Sequence, residues 1–161
     1  MSNIQMYLII NPADFNKNYL MLSDRIKNNI MNDGHFYRLY YSDSLATSKG
    51  LFLGFRLKSI TIEKYFNKLK CSFKKSANLR TITFIKGVEK AILEIMPERK
   101  NRTPVYRIEE QLNNDFIKIF SNTPQTLSVK KEEVSLLLKI SGIWTDNAHF
   151  GVTFRFFFIR P

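Results

Sequence analysis

Val134-Ser-Leu-Leu-Leu-Lys-Ile-Ser-Gly-Ile-Trp144, the turn Thr145-Asp-Asn-Ala148, and His149-Phe-Gly-Val-Thr-Phe-Arg-Phe-Phe-Phe-Ile159 decide the fold. Both runs are apolar and β-rich and flank a short polar turn, so together they read as a β-hairpin. In the second run Phe150, Val152, Phe154, Phe156 and Phe158 share one face, and Thr153, Arg155 and Phe157 share the other. In the first, Val134, Leu136, Leu138 and Ile140 oppose Ser135, Leu137, Lys139 and Ser141. A hairpin this hydrophobic must be central in a sheet, because an exposed one would aggregate.

Outward from it, residues 3–10 read as a strand ended by Asn11-Pro12, and Ser23-Asp24 caps a short helix through Met31. His35 to Tyr41 and Leu51 to Ile62 read as strands joined by a polar loop, Ser42 to Gly50. Tyr65, Phe66 and Leu69 sit at helical spacing with lysines between them, predicting a short amphipathic helix over 62–70. Leu79 to Ile85 alternates as a strand, and Gly87 to Met96 carries helical spacing stopped by Pro97. Residues 99–104 read as a loop, and Val105 to Ile108 and Phe116 to Phe120 as strands, with Thr123-Pro124 a turn. The pattern predicts a β-dominated α+β protein with a curved antiparallel sheet or OB-like barrel. It has about seven strands and two or three short helices, in a single domain over residues 1–161.

At 161 residues and 44% hydrophobic, the chain is long enough to bury a core and too apolar for global disorder. No apolar run reaches the roughly 20 residues that span a bilayer, and the N-terminus does not read as a secretory signal, so no membrane partner is expected. Cys71 is the single cysteine; it pairs with nothing within the chain and fits a reducing, intracellular compartment. The glycines form neither GxxxxGK[ST] nor GxGxxG, and no GxSxG elbow occurs. Cys71 has no partner base in view, His35 and His149 read as strand-end residues, and soft ligands are too few for structural zinc. Acids in adjacent pairs, Glu109-Glu110 and Glu132-Glu133, would face opposite ways on a strand. No catalytic residue, metal or cofactor is therefore expected, although a metal-dependent nuclease stays open as an alternative.

The charge carries the functional signal. The net charge is +11, and residues 56–102 hold thirteen Lys and Arg against four acids, which is +9 of it. A soluble protein this basic most often meets a polyanion. Aromatics interleave with those cations, as in Tyr65-Phe66-Asn67-Lys68 and Phe73-Lys74-Lys75. Cations neutralise phosphates while exposed rings stack on bases, which duplex DNA does not offer free. Tyr65 and Phe73 are the stacking candidates, with Phe55 and Phe84 assigned to the core. Phosphate contacts fall to Lys58, Lys68, Lys70, Lys74, Lys75 and Arg80, with Arg99, Lys100 and Arg102 as a second cluster. The stretch His35 to Tyr41 adds a stacking face: Tyr37 and Tyr41 share one side of that strand and Phe36 and Tyr40 the other, so one pair is core whichever way it turns, and Tyr37 and Tyr41 are the stacking candidates.

The segment Leu136-Leu-Leu-Lys-Ile-Ser-Gly-Ile-Trp144, followed by Phe150-Gly-Val-Thr-Phe-Arg-Phe156, resembles the closing hairpin of single-stranded-DNA-binding-like proteins of large arthropod-infecting DNA viruses. The resemblance covers about 25 residues. It implies an OB-like core, a replication or packaging role in host nucleus or cytoplasm, close-approach or bulge positions at Gly142 and Gly151, and a core or stacking Trp144. The expected function is non-enzymatic, largely sequence-independent binding of single-stranded DNA or RNA. The alternative is a viral structural or assembly protein whose hairpin seeds a homo-oligomer and whose basic face meets an acidic partner.

Overall fold

A computed structural model describes residues 8–27, 34–120 and 128–159. In chain order its strands are β1 (Leu20–Leu22), β2 (Ile26–Lys27), β3 (His35–Ser42), β4 (Thr47–Lys49), β5 (Leu51–Tyr65) and β6 (Lys68–Phe73). Helix α1 (Leu79–Glu94), β7 (Thr103–Val105), α2 (Arg107–Asn113), β8 (Phe116–Ile119), β9 (Val129–Thr145) and β10 (His149–Phe158) follow.

The β9–β10 hairpin is turned by Asp146, whose Oδ1 accepts from the Ala148 and His149 amides at 2.8 and 2.6 Å. Those donors, the Ala148 amide foremost, hold the Asp146 carboxyl below its usual range. β9 runs antiparallel to β5, β5 to β6, and β6 to β8. The order β9-β5-β6-β8 is a Greek key. β10 then lies antiparallel to β9 and parallel to β8, with Phe156 beside Ile119, and this closes a five-stranded, OB-like barrel. The β-dominated expectation therefore holds, and the apolar hairpin lies within the barrel wall.

Two irregularities let straight strands become a barrel. In β9 the register shifts opposite Thr153 and Phe154, leaving Ser141 as the extra residue of a bulge. The inward set accordingly passes from Leu136, Leu138 and Ile140 to Ile143 and Thr145. In β5 the inward set passes from Leu51, Leu53, Phe55 and Leu57 to Ile60 and Ile62, with the kink at Ser59, whose φ is +55°. Asn78 bridges that kink: its side chain accepts from the Lys58 amide at 2.8 Å and donates to the Lys58 carbonyl at 2.9 Å. On the edge of β9 that β5 occupies up to Ile140, β3 takes over at Gly142–Thr145 and, with β1, β2 and β4, extends the sheet beyond the barrel.

Gly142 meets this extension where it leaves the barrel, and Gly151 lies under the Trp144 indole, so both are close-approach positions. Trp144 is half-buried, and its ring carries Arg107 at 5.2 Å.

Between β6 and β8, α1 buries Ile82, Ile85, Val88, Ile92 and Leu93 as one stripe. Fully buried Glu89 on that stripe receives the Ile108 and Glu109 amides at 2.9 and 3.0 Å, so it caps α2 from a neighbouring helix. Burial pushes its carboxyl above the usual glutamate range, against the pull of those two amides. Its stabilising contribution is thus full below the ordinary glutamate range and declines as pH rises through the raised folded value. Glu89→Gln aims an amide NH2 at one of the two donors, and denaturant titration should register a loss of about 1–3 kcal/mol. The gap between the two proteins should narrow as pH rises; a gap that widens contradicts a penalised, ionising Glu89.

Several local expectations are corrected. Residues 62–70 are not a helix but a hairpin, because Leu69, Cys71 and Phe73 alternate inward while Lys68, Lys70 and Ser72 face out. Leu79–Ile85 is not a strand but the first half of α1, whose stripe continues unbroken through Leu93. Val105–Ile108 divides between the end of β7 and the start of α2, so Glu109 and Glu110 lie in a helical first turn rather than on a strand. Arg25 is not helical, Ile26–Lys27 is a strand on β3, and residues 28–31 of that predicted helix lie outside the described residues. So does most of the 3–10 strand, although Ile10 bridges Leu53, and so does the turn at 123–124. The loop 42–50 contains β4. The described residues hold ten strands, more than the seven expected.

Candidate nucleic-acid interface

Parity decides what the barrel wall presents outward. Residues alternating with the core are Glu63 and Tyr65 on β5, Lys68 and Lys70 on β6, Phe116 and Lys118 on β8, Arg155 and Phe157 on β10, and Leu137 and Lys139 on β9.

Register then aligns four of them. Lys70 is the partner of Lys118. The Ile119–Phe156 pair sets Lys118 beside Arg155, and Arg155 is the partner of Lys139. With strands about 4.8 Å apart, these four cations form a rung of about 14 Å running across the strands. Glu63, opposite Lys70, flanks one end, and Phe52, opposite Lys139, flanks the other. None of the four has an ion-pair partner among the described residues.

Every rung cation lies over a ring. Lys70 is 4.6 Å from the centre of Phe116, Lys118 5.4 Å from Tyr65, Arg155 5.0 Å from Phe120 and Lys139 5.7 Å from Phe52. Tyr65 meets Phe66 edge-on at 4.9 Å and Phe116 at 6.4 Å, and Phe120 meets Phe157 edge-on at 5.9 Å. Cation–π contacts of about 0.5–1 kcal/mol at exposed sites hold this layer together in the free protein. They do not cancel the repulsion of like charges on neighbouring strands. A polyanion would.

Phe66 stands at the tip of the β5–β6 turn, 81% exposed, with φ of +54°. Glycine is the usual occupant of such a turn position, and a bulky residue in the left-handed region costs about 1–2 kcal/mol. No burial offsets that cost.

The residues expected from sequence divide into groups. Tyr65, Lys68 and Lys70 lie on the outward face just described. Lys58, Lys74, Lys75 and Arg80 gather instead near the far end of β6, around Asn78. There Lys75 is engaged, 3.3 Å from Asp115 and 2.8 Å from the Asn113 carbonyl. Arg99, Lys100 and Arg102 precede β7, beside the β9–β10 turn, where Arg102 donates to the Asp146 carbonyl at 2.9 Å and pairs with Glu98 at 3.4 Å. The basic segment is therefore not one contiguous surface.

Three expected stacking rings are corrected outright. Phe73, 5% exposed, faces inward by β6 parity, and Tyr37 and Tyr41, at 3% and 2%, face inward from β3. The Tyr41 hydroxyl accepts from the Asn16 amide, and burial foremost, with a hydrogen bond to Glu98, raises the Tyr37 phenol pKa.

Phe66, Phe116, Lys118, Phe120, Lys139, Arg155 and Phe157 are not singled out by the sequence as site residues, although Phe116, Lys118 and Phe120 alternate plainly in it. Elsewhere, the buried Cys71 thiol is pushed up to about 12 by desolvation and is not a thiolate at neutral pH. Among the described residues no group of three His, Cys, Asp or Glu is placed to hold a metal ion, and no helix is long and apolar enough to cross a membrane. Comparison of the chain with family models, curated proteins and solved structures finds no match.

Proposed function

We propose that this protein binds single-stranded DNA or RNA, without catalysis and largely without sequence preference, on the outer face of its barrel. One observation carries the reading: four cations aligned on adjacent strands, each over an aromatic ring and none ion-paired among the described residues. Phosphates neutralise such a rung, and bases displaced from one another stack on the rings beside it at about 1–3 kcal/mol each. Ring stacking distinguishes a single strand from a duplex. An OB-like barrel using its second and third strands for this purpose is a known economy of the architecture, and β6 and β8 hold those places here.

The test is fluorescence anisotropy with labelled oligothymidine and a matched duplex across a salt series. Four phosphate contacts predict a slope of log affinity against log salt of about −2.8 or steeper for the single strand. Phe66→Gly in the same assay should weaken single-strand binding by about 5- to 150-fold, the worth of one stacked base. The variant should nonetheless melt no earlier than the parent, because glycine relieves the turn. Salt-insensitive binding, or duplex preferred over single strand, defeats the proposal. Unchanged affinity with lowered stability would make Phe66 a structural ring.

A further inference from the structure

Beyond the barrel face, β3, β4, β5 and β9 enclose a half-open cleft of about 770 Å³. Arg38, Lys49 and Lys139 reach it, with Phe36 and Phe52 among its walls, and no acid lines it among the described residues. None of the three cations has an ion-pair partner among the described residues. Thr47 and Ser48 add hydroxyls on the β4 side. The volume lies within the roughly 300–1,000 Å³ of ordinary ligand pockets, and the charge selects an anion.

Lys139 belongs to both features: it ends the four-cation rung and walls the cleft. The positive path is thus continuous from β6 across β8, β10 and β9 to the β3–β4 extension. We infer that the cleft receives the phosphates of the same bound strand as it leaves the barrel, so that the protein occludes a longer stretch than the barrel face alone. This rests on the reading of the barrel face as a single-strand surface. Arg38 and Lys49 would then be phosphate-binding residues reached only by longer ligands.

Oligothymidines of about 5 and about 16 nucleotides, near the two ends of the range that OB folds occupy, separate the possibilities. Arg38→Gln with Lys49→Gln should leave the short oligomer's affinity unchanged. For the long oligomer the salt slope should flatten by about 1.4, two contacts at about 0.7 each, with affinity down about tenfold at moderate salt. Lys49→Gln alone, at an exposed position, should give about half the slope change without any concern for folding. Equal effects on both lengths, or none on either, overturn the inference while leaving the barrel reading intact. If the parent protein binds neither oligomer, the barrel reading itself fails and this inference with it.

Discussion

Replacing Lys70, Lys118, Arg155 and Lys139 together by glutamine should lower affinity for labelled oligothymidine by about two orders of magnitude at moderate salt. The salt slope should flatten by about 2.8, since each phosphate released from a single strand contributes about 0.7. The fold should tolerate the change. Four side chains that face solvent are altered, and relief of repulsion between adjacent strands offsets the missing cation–π attraction. A comparison variant, Lys74, Lys75 and Arg80 to glutamine, changes three cations within the most basic part of the chain. It should cost less than about tenfold, because these residues lie away from the rung and Lys75 is already engaged by Asp115. Anisotropy on the two variants decides between them. If the second loses as much as the first, net charge governs binding and the rung has no special standing.

Gly142→Ala should cost more than about 3 kcal/mol, at the upper end of what single substitutions do. A Cβ at Gly142 would stand 2.2 Å from the Tyr37 carbonyl oxygen and 2.5 Å from the Phe36 ring. The first obstacle is backbone and cannot rotate away. β3 would have to leave β9, opening the His35–Arg38 pairing and the core beneath Tyr37 and Leu39. Denaturant titration should record a lower midpoint, with a reduced m-value if β3 alone detaches. Gly87→Ala serves as the opposite case: nothing lies within 4 Å of its Cβ position in α1. Helix propensity there should add about 0.5–1 kcal/mol. An alanine at 142 tolerated within about 1 kcal/mol would mean that the bulge relaxes and β3 is loosely held.

Much of the barrel is readable along the chain because alternation is a local property of extended backbone. It assigns Leu136, Leu138 and Ile140 to one side and Lys139 to the other without reference to any partner. The same reasoning marks Thr153, Arg155 and Phe157 as outward, and the apolar hairpin as central. It falters where two periods fit one segment. Leu79–Ile85 alternates and also begins a helical stripe, and packing against α2, with Glu89 seated under the Ile108 amide, selects the helix. At 62–70 the turn Phe66-Asn67 lacks the glycine that would announce a hairpin, so no local signal marks the β5–β6 reversal.

The binding surface is the sharper case. Crowding of positive charge into residues 56–102 is a linear property, and folding disperses it among the rung, the far end of β6 and the loop before β7. Three of the four rung cations, Lys118, Lys139 and Arg155, come from a third of the chain whose charges nearly balance. Composition and periodicity thus account for a basic, β-rich, barrel-forming chain and for which side of each strand is wet. Which cations become neighbours depends on strand order and shear at closure. Those are set by contacts between residues far apart in sequence, and no local period encodes them.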